Sequence, residues 1–120
     1  MLINQNIGCS KGDSFIFEID LIDDEDPATP AIDLTGAAGQ WVLAESWFDG
    51  AKIYVTKTLG SGLFMNQEAG VWKVIVQLSP TDTLTAPSGI LYHDCKLTLS
   101  DGTVAHVASG EFVLDPSVNP

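Results

Sequence analysis

Few side chains in this sequence have chemistry to offer, and their spacing keeps most of them apart. Two histidines, His93 and His106, two cysteines, Cys9 and Cys95, and the acidic run Asp23, Asp24, Glu25 and Asp26 are the groups that could hold a metal or move a proton. On an extended strand successive side chains point to opposite faces, so His93 and Asp94 diverge and form no catalytic dyad. If the chain turns symmetrically about Asp101-Gly102, residue 93 faces residue 110 and residue 106 faces residue 97, which leaves the imidazoles unpaired. Neither cysteine has the CxxC partner or the neighbouring histidine of a zinc site. The two thiols could form one disulfide between the first strand and the penultimate one. In a reducing compartment they would instead stay free and behave as small buried hydrophobes, which is the expectation adopted.

The carboxylates at 23–26 suit calcium by type, yet they lack the alternate-ligand spacing and closing glutamate of an EF-hand, so they read as a solvated loop. Ser61-Gly62 and Ser109-Gly110 do not belong to a GxSxG elbow, and no glycine-rich loop opens a substantial helix as phosphate cradles require. Paired carboxylates for glycoside hydrolysis would need a cleft that no pattern here identifies. Three tryptophans remain. Trp41 and Trp72 fall on apolar faces of alternating strands and are assigned to the core. Trp47, followed by Phe48-Asp49-Gly50, is the exposed one, and with Phe48 and the loop Asp23, Asp24, Glu25 and Asp26 it makes a candidate interaction surface. The expectation is therefore a protein with no catalytic residues, no cofactor and no metal.

Charge narrows the partners. Sixteen acidic residues face five lysines, there is no arginine, and the formal net charge is −11. Such a surface repels phosphate backbones and anionic headgroups and lacks the guanidinium groups that read them, so neither nucleic acid nor membrane is an expected partner. The acidity serves solubility, or else it offers a docking surface to a basic partner. No apolar run approaches the roughly 20 residues that span a bilayer, and residues 1–6 lack the basic and apolar regions of a secretory signal. The chain is expected to fold where it is made, as a single domain over residues 1–120 with a short tail at 115–120.

The elements that must position these groups are strands. Residues 2–8 form a weak first strand, and Lys11-Gly12-Asp13 turns the chain. Phe15, Phe17, Ile19 and Leu21 then make one apolar face. Residues 23–30 cannot extend that strand, because consecutive acids repel and two prolines remove ladder donors, so an exposed loop is predicted. Ala31 to Thr35 is a short extended piece. Gln40 to Trp47 is a strand inside a sheet with both faces partly covered, and Asp49-Gly50 turns it into Ile53 to Thr58. Leu63 to Met65 reads as a short edge strand. In Val71 to Leu78, residues Trp72, Val74, Val76 and Leu78 point inward. Ser79-Pro80 starts one helical turn ending at Leu84, which is expected to plug the core. Gly89 to Leu99 and Val104 to Leu114 close the chain as a long hairpin. About eight strands at this length predict an all-β, immunoglobulin-like antiparallel β-sandwich, without the Cys-Trp-Cys pin of antibody domains.

The order of several segments adds a resemblance. Gly12-Asp13 leading into a strand, Ile32-Asp-Leu-Thr-Gly36, Gly70-Val-Trp-Lys-Val and Leu78-Ser-Pro-Thr-Asp-Thr-Leu84 come first. They are followed by Gly89-Ile-Leu-Tyr-His-Asp94, Ser100-Asp-Gly-Thr103 and Gly110-Glu-Phe-Val-Leu114. In that succession the chain resembles small β-sandwich virion proteins of tailed bacteriophages, similar to the N-terminal domain of baseplate upper proteins. The resemblance implies a non-enzymatic structural accessory protein of the virion, assembled in the host cytoplasm and present in multiple copies or as a homo-oligomer. It would dock on other phage virion proteins as a tail or baseplate adaptor or as a capsid decoration module. Because the chain ends about where the sandwich ends, a stand-alone module is expected. The alternative is a carbohydrate- or receptor-binding module that uses Trp47 and Phe48.

Overall fold

The computed structural model describes residues 3–21, 34–68 and 71–116. The acidic run 23–26, the rest of the loop to Pro30, the piece 31–33 and the end of the tail lie outside the described residues. The strands in chain order are β1 (Ile3–Asn4), β2 (Ile7–Ser10), β3 (Phe15–Leu21), β4 (Ala38–Ala44), β5 (Ile53–Leu59), β6 (Gly62–Glu68) and β7 (Val71–Leu78). One helix, α1 (Pro80–Thr85), precedes the closing pair β8 (Gly89–Thr98) and β9 (Val104–Asp115).

Hydrogen bonding runs β1-β9-β8-β4-β5-β6-β7-β3, with β2 also on β9. The path folds over at β5 and β6, which meet only at Thr58↔Gly62 and Leu59↔Leu63. One layer is therefore β1, β2, β9, β8, β4 and β5, and the other is β6, β7 and β3. They face each other across aromatic rings, with Phe17 of β3 lying 5.7 Å from Trp41 of β4, and Phe15 lying 6.1 Å from Phe112 of β9. This is the all-β sandwich that the strand pattern predicts, with its two layers joined along one hydrogen-bonded path. Its N-terminal strands run parallel to β9, while β3 crosses to the opposite layer and pairs antiparallel with β7.

Alternation explains each layer. Phe17, Ile19 and Leu21 of β3 are buried, as are Val74, Val76 and Leu78 of β7, so two successive register partners present one continuous apolar face. Across from them lie Trp41 and Leu43 of β4, Leu91, Cys95 and Leu97 of β8, and Val107, Ala108, Phe112 and Leu114 of β9. Burial of side chains of this size stabilises by about 1.5–3 kcal/mol each before ordering entropy is subtracted. On the outer face of β7, Lys73 reaches Glu18 and Glu68 at 3.3 Å, which balances acids that alternation leaves in solvent.

Four local expectations change. Trp72 is only partly buried and packs against the core from its margin. Leu63 to Met65 belong to a longer strand, β6, that lies between β5 and β7 and is not an edge. In α1 the core-facing residue is Thr83, 1% exposed, whereas Leu84 is 52% exposed and plugs nothing. The Thr83 hydroxyl accepts from Gly12 N at 2.9 Å and donates toward Asp13 O at 3.0 Å, so the helix is fastened to the β2–β3 turn by hydrogen bonds that a leucine could not make. The start of α1 is as predicted, with Ser79 as N-cap, Pro80 in the first turn and a reciprocal Ser79–Asp82 capping box. The fourth change is in the closing hairpin. Residue 93 does face residue 110, but between Cys95 and Lys96 the register slips by one, so His106 faces Lys96 and not Leu97. That β-bulge turns two consecutive residues, Val107 and Ala108, inward.

Gly110 is the most constrained backbone position. A Cβ there would stand 2.2 Å from the Gln5 carbonyl oxygen, in the kink between β1 and β2. Gly110→Ala must push the N-terminal segment off β9, and is expected to lower stability by about 2–4 kcal/mol in urea unfolding. Gly50→Ala, with nothing within 4 Å of the added carbon, is expected to lose no more than about 1–2 kcal/mol, from its positive φ alone.

Candidate functional site: an aromatic and acidic cleft on the outer sheet face

The β4–β5 connection is tied at its base by Glu45 N donating to Lys52 O at 2.8 Å. Ala51 N donates to Phe48 O at 3.2 Å, and Gly50 takes φ 86°, which closes the predicted Asp49-Gly50 turn. Trp47, just ahead of this turn, is 80% exposed and Phe48 55% exposed, as the sequence predicts. The acidic residues 23–26 that were grouped with them lie outside the described residues.

Beneath this tip, outward-facing residues of β4, β8 and β9 floor a cleft of about 690 Å³. Trp47 and Phe48 form its rim, Val42, Ala44 and Tyr92 its apolar floor, and Asp49, Asp94, His106 and Glu111 its polar margin. Asp94 Oδ2 lies 2.8 Å from His106 Nδ1. Glu111 is held in place through its backbone, whose N–H donates to Asn6 Oδ1 at 3.0 Å.

The Asp94–His106 pair was invisible to sequence reasoning, because symmetric pairing sends His106 to the face of Leu97. The bulge at residues 107–108 moves it to the face of Asp94, two residues along the neighbouring strand and within reach of a diagonal contact. Nothing in the residue pattern around 107–108 marks this one-residue slip of register. The arrangement orients one imidazole, and among the described residues no hydroxyl or thiol is hydrogen-bonded to His106. Among the described residues no group of three or more His, Cys, Asp or Glu side chains could hold a metal ion.

His93 has a different surrounding, 2% exposed on the inner face. Trp41 Nε1–H donates to His93 Nδ1 at 3.1 Å, and His93 Nε2 stands 2.6 Å from Gln5 O. Since Nδ1 accepts, the ring is neutral with its proton on Nε2, which donates to Gln5. Burial pushes its pKa below the usual imidazole range, against the opposing pull of the Gln5 bond and the Asp94 charge. Protonation at Nδ1 would also set two donors, Nδ1–H and the Trp41 N–H, against each other.

The cysteines are free, with Cys95 buried and Cys9 half-buried. Burial, with Asp94 nearby, pushes the Cys95 thiol up to about 12; burial first, then Asp13 and Asp115, raises Cys9. Both are thus held as thiols, the less reactive form.

No family model matches this chain, and no curated protein matches it. Among solved structures it is similar to the crystal structure of CopC from Methylosinus trichosporium OB3b, with 16% sequence identity and a TM-score of 0.39 over 68% of this chain and 66% of that chain. The match thus spans just under two thirds of that protein's length, and a likeness this slight says nothing of what this chain binds.

Two outcomes follow from these environments. A histidine held neutral in the folded state resists the protons that the unfolded chain takes up, so stability is lost as pH falls below about 6.5, with a slope of up to about 1.4 kcal/mol per pH unit. Urea midpoints between pH 8 and pH 5 should show that slope, and His93→Gln should flatten it while lowering stability at pH 8. A thiol reagent at pH 8 should modify the native protein slowly and both cysteines rapidly in denaturant, with Cys95 the slower in the native state.

Proposed function

We propose that this chain is a non-enzymatic structural accessory protein of a tailed-bacteriophage virion that docks on other virion proteins through the tip formed by Trp47 and Phe48. The observation that carries the docking part is the exposure of these two adjacent rings on a braced turn. Large aromatic groups left in water beside a cleft are the ordinary mark of a contact surface. The virion part is supported by the succession of segments from Gly12-Asp13 to Gly110-Glu-Phe-Val-Leu114. Repetition of the module on a symmetric particle, as an adaptor in the tail or baseplate or as a decoration of the capsid, would add up contacts that are individually weak. Assembly would take place in the host cytoplasm.

A second reading, a carbohydrate- or receptor-binding module, is favoured by one observation, the aromatic rim over a cleft with polar margins. Sugars stack on such rings and hydrogen-bond to such margins.

On the first reading the protein co-sediments with purified particles in a stoichiometric multiple of a major virion protein. The double variant Trp47→Ala, Phe48→Ala should lose no more than about 1 kcal/mol of unfolding free energy in urea, because Trp47 is almost wholly in solvent and Phe48 is half in it, yet be lost from particles. Confinement to the infected-cell lysate would sink the virion reading, and full incorporation of the double variant would remove these rings from it.

A further inference from the structure

The charge lining the cleft has a single sign. Asp49, Asp94 and Glu111 line it, and no lysine does. Four of the five lysines are accounted for elsewhere: Lys73 bonds Glu18 and Glu68, Lys57 bonds Asp82, Lys11 bonds Ala86 O, and Lys52 lies over Tyr54. The fifth, Lys96, faces His106 across the hairpin and does not line the cleft. His106 bonds Asp94 Oδ2, and Asp94 Oδ1 has no hydrogen-bond partner among the described residues. The Glu111 carboxylate has no ion pair there either.

We infer that this cleft receives an arginine side chain from a basic segment of the docking partner, with the guanidinium lying on the Trp47 ring and bonding to the carboxylates of Asp94 and Glu111. The inference rests on the docking part of the function proposed above and specifies the chemistry of the partner. A flat, weakly hydrated cation gains from both components of the site: it stacks on an indole face, and it donates paired N–H groups to carboxylate oxygens. A lysine ammonium matches only the charge. A neutral sugar would use the rim but leave the like-charged carboxylates uncompensated, and a phosphate would be repelled by them.

A second copy of this chain is a poor occupant. It has no arginine and a net charge of −11, so long-range repulsion opposes its approach. Copies of the module would therefore be arranged by the partner and not by contacts between their own clefts.

The test is a titration of the full chain, followed by backbone and indole N–H resonances at low ionic strength. Its probes are acetyl-Gly-Arg-Gly-amide, the lysine and citrulline analogues of that peptide, and maltotriose as a neutral sugar. Citrulline keeps the shape of arginine and removes its charge. The arginine probe should shift the Trp47 indole and the amides of Asp94 and Glu111 saturably, with millimolar affinity. The lysine probe should bind several-fold more weakly, and the citrulline probe at least about tenfold more weakly. Trp47→Ala and Glu111→Gln should each weaken the arginine probe by about three- to tenfold with unchanged urea midpoints, and raised salt should weaken it further.

Equal binding of the citrulline probe, binding of maltotriose in place of the peptides, or arginine binding indifferent to Trp47→Ala would each overturn the inference. Loss of the Trp47, Phe48 double variant from particles, together with a failed arginine titration, refutes the arginine site alone. A successful titration by a protein never found on particles supports the arginine site and refutes the virion reading.

Discussion

The interior of this sandwich is organised around one buried polar chain, from the Trp41 indole through the His93 ring to the Gln5 carbonyl. It joins three stretches of chain that are far apart in sequence: β4, β8 and the kink between β1 and β2. Phe17 and Phe112 stand edge-on to the imidazole at 5.9 and 6.5 Å, which excludes water and makes each hydrogen bond of the chain costly to leave unmade. The chain closes only because the register partner of His93 is Gly110. Where any other residue would place a Cβ, the peptide of Gln5 comes through. A missing side chain on β9 thus lets the N-terminal strands lie along β9 and complete the layer.

The outer face of that same layer follows from the inner one. Once Leu91, His93 and Cys95 are turned inward, Tyr92 and Asp94 must face out, and the β4–β5 turn hangs over them. The bulge at Val107 and Ala108 then brings His106 to Asp94. One irregularity in one strand therefore improves the core, by burying two successive apolar residues, and composes the polar margin of the cleft. Electrostatics gives that margin its character. In a chain where lysines are few and mostly engaged, Asp94 on that open face is paired with the His106 imidazole, Glu111 has no ion pair among the described residues, and the exposed rings of Trp47 and Phe48 stand beside them.

Much of this was legible in the residues. Strand alternation, the Asp49-Gly50 turn, the Ser79-Pro80 helix start and the exposure of Trp47 and Phe48 depend on local rules: period-two burial, positive φ at glycine, and side chains that satisfy open backbone groups. They are written within a few residues of where they act. Thr83 in place of Leu84, His106 beside Asp94, Trp72 at the margin of the core and Gln5 against Gly110 each depend on a partner 12 to 105 residues away. Hydrophobicity alone pointed to Leu84, since the hydrogen bonds that make Thr83 the better buried residue exist only once the β2–β3 turn is alongside.

The residue pattern was thus sufficient for the class of fold, the sign of the surface and the identity of the exposed rings, because each is set by composition or by neighbours along the chain. The cleft, the neutral state of His93 and the pairing at Asp94 came from packing. Register in a long hairpin can slip by one residue with little local cost, and only the burial of Val107 and Ala108 against the opposite layer selects the slipped arrangement.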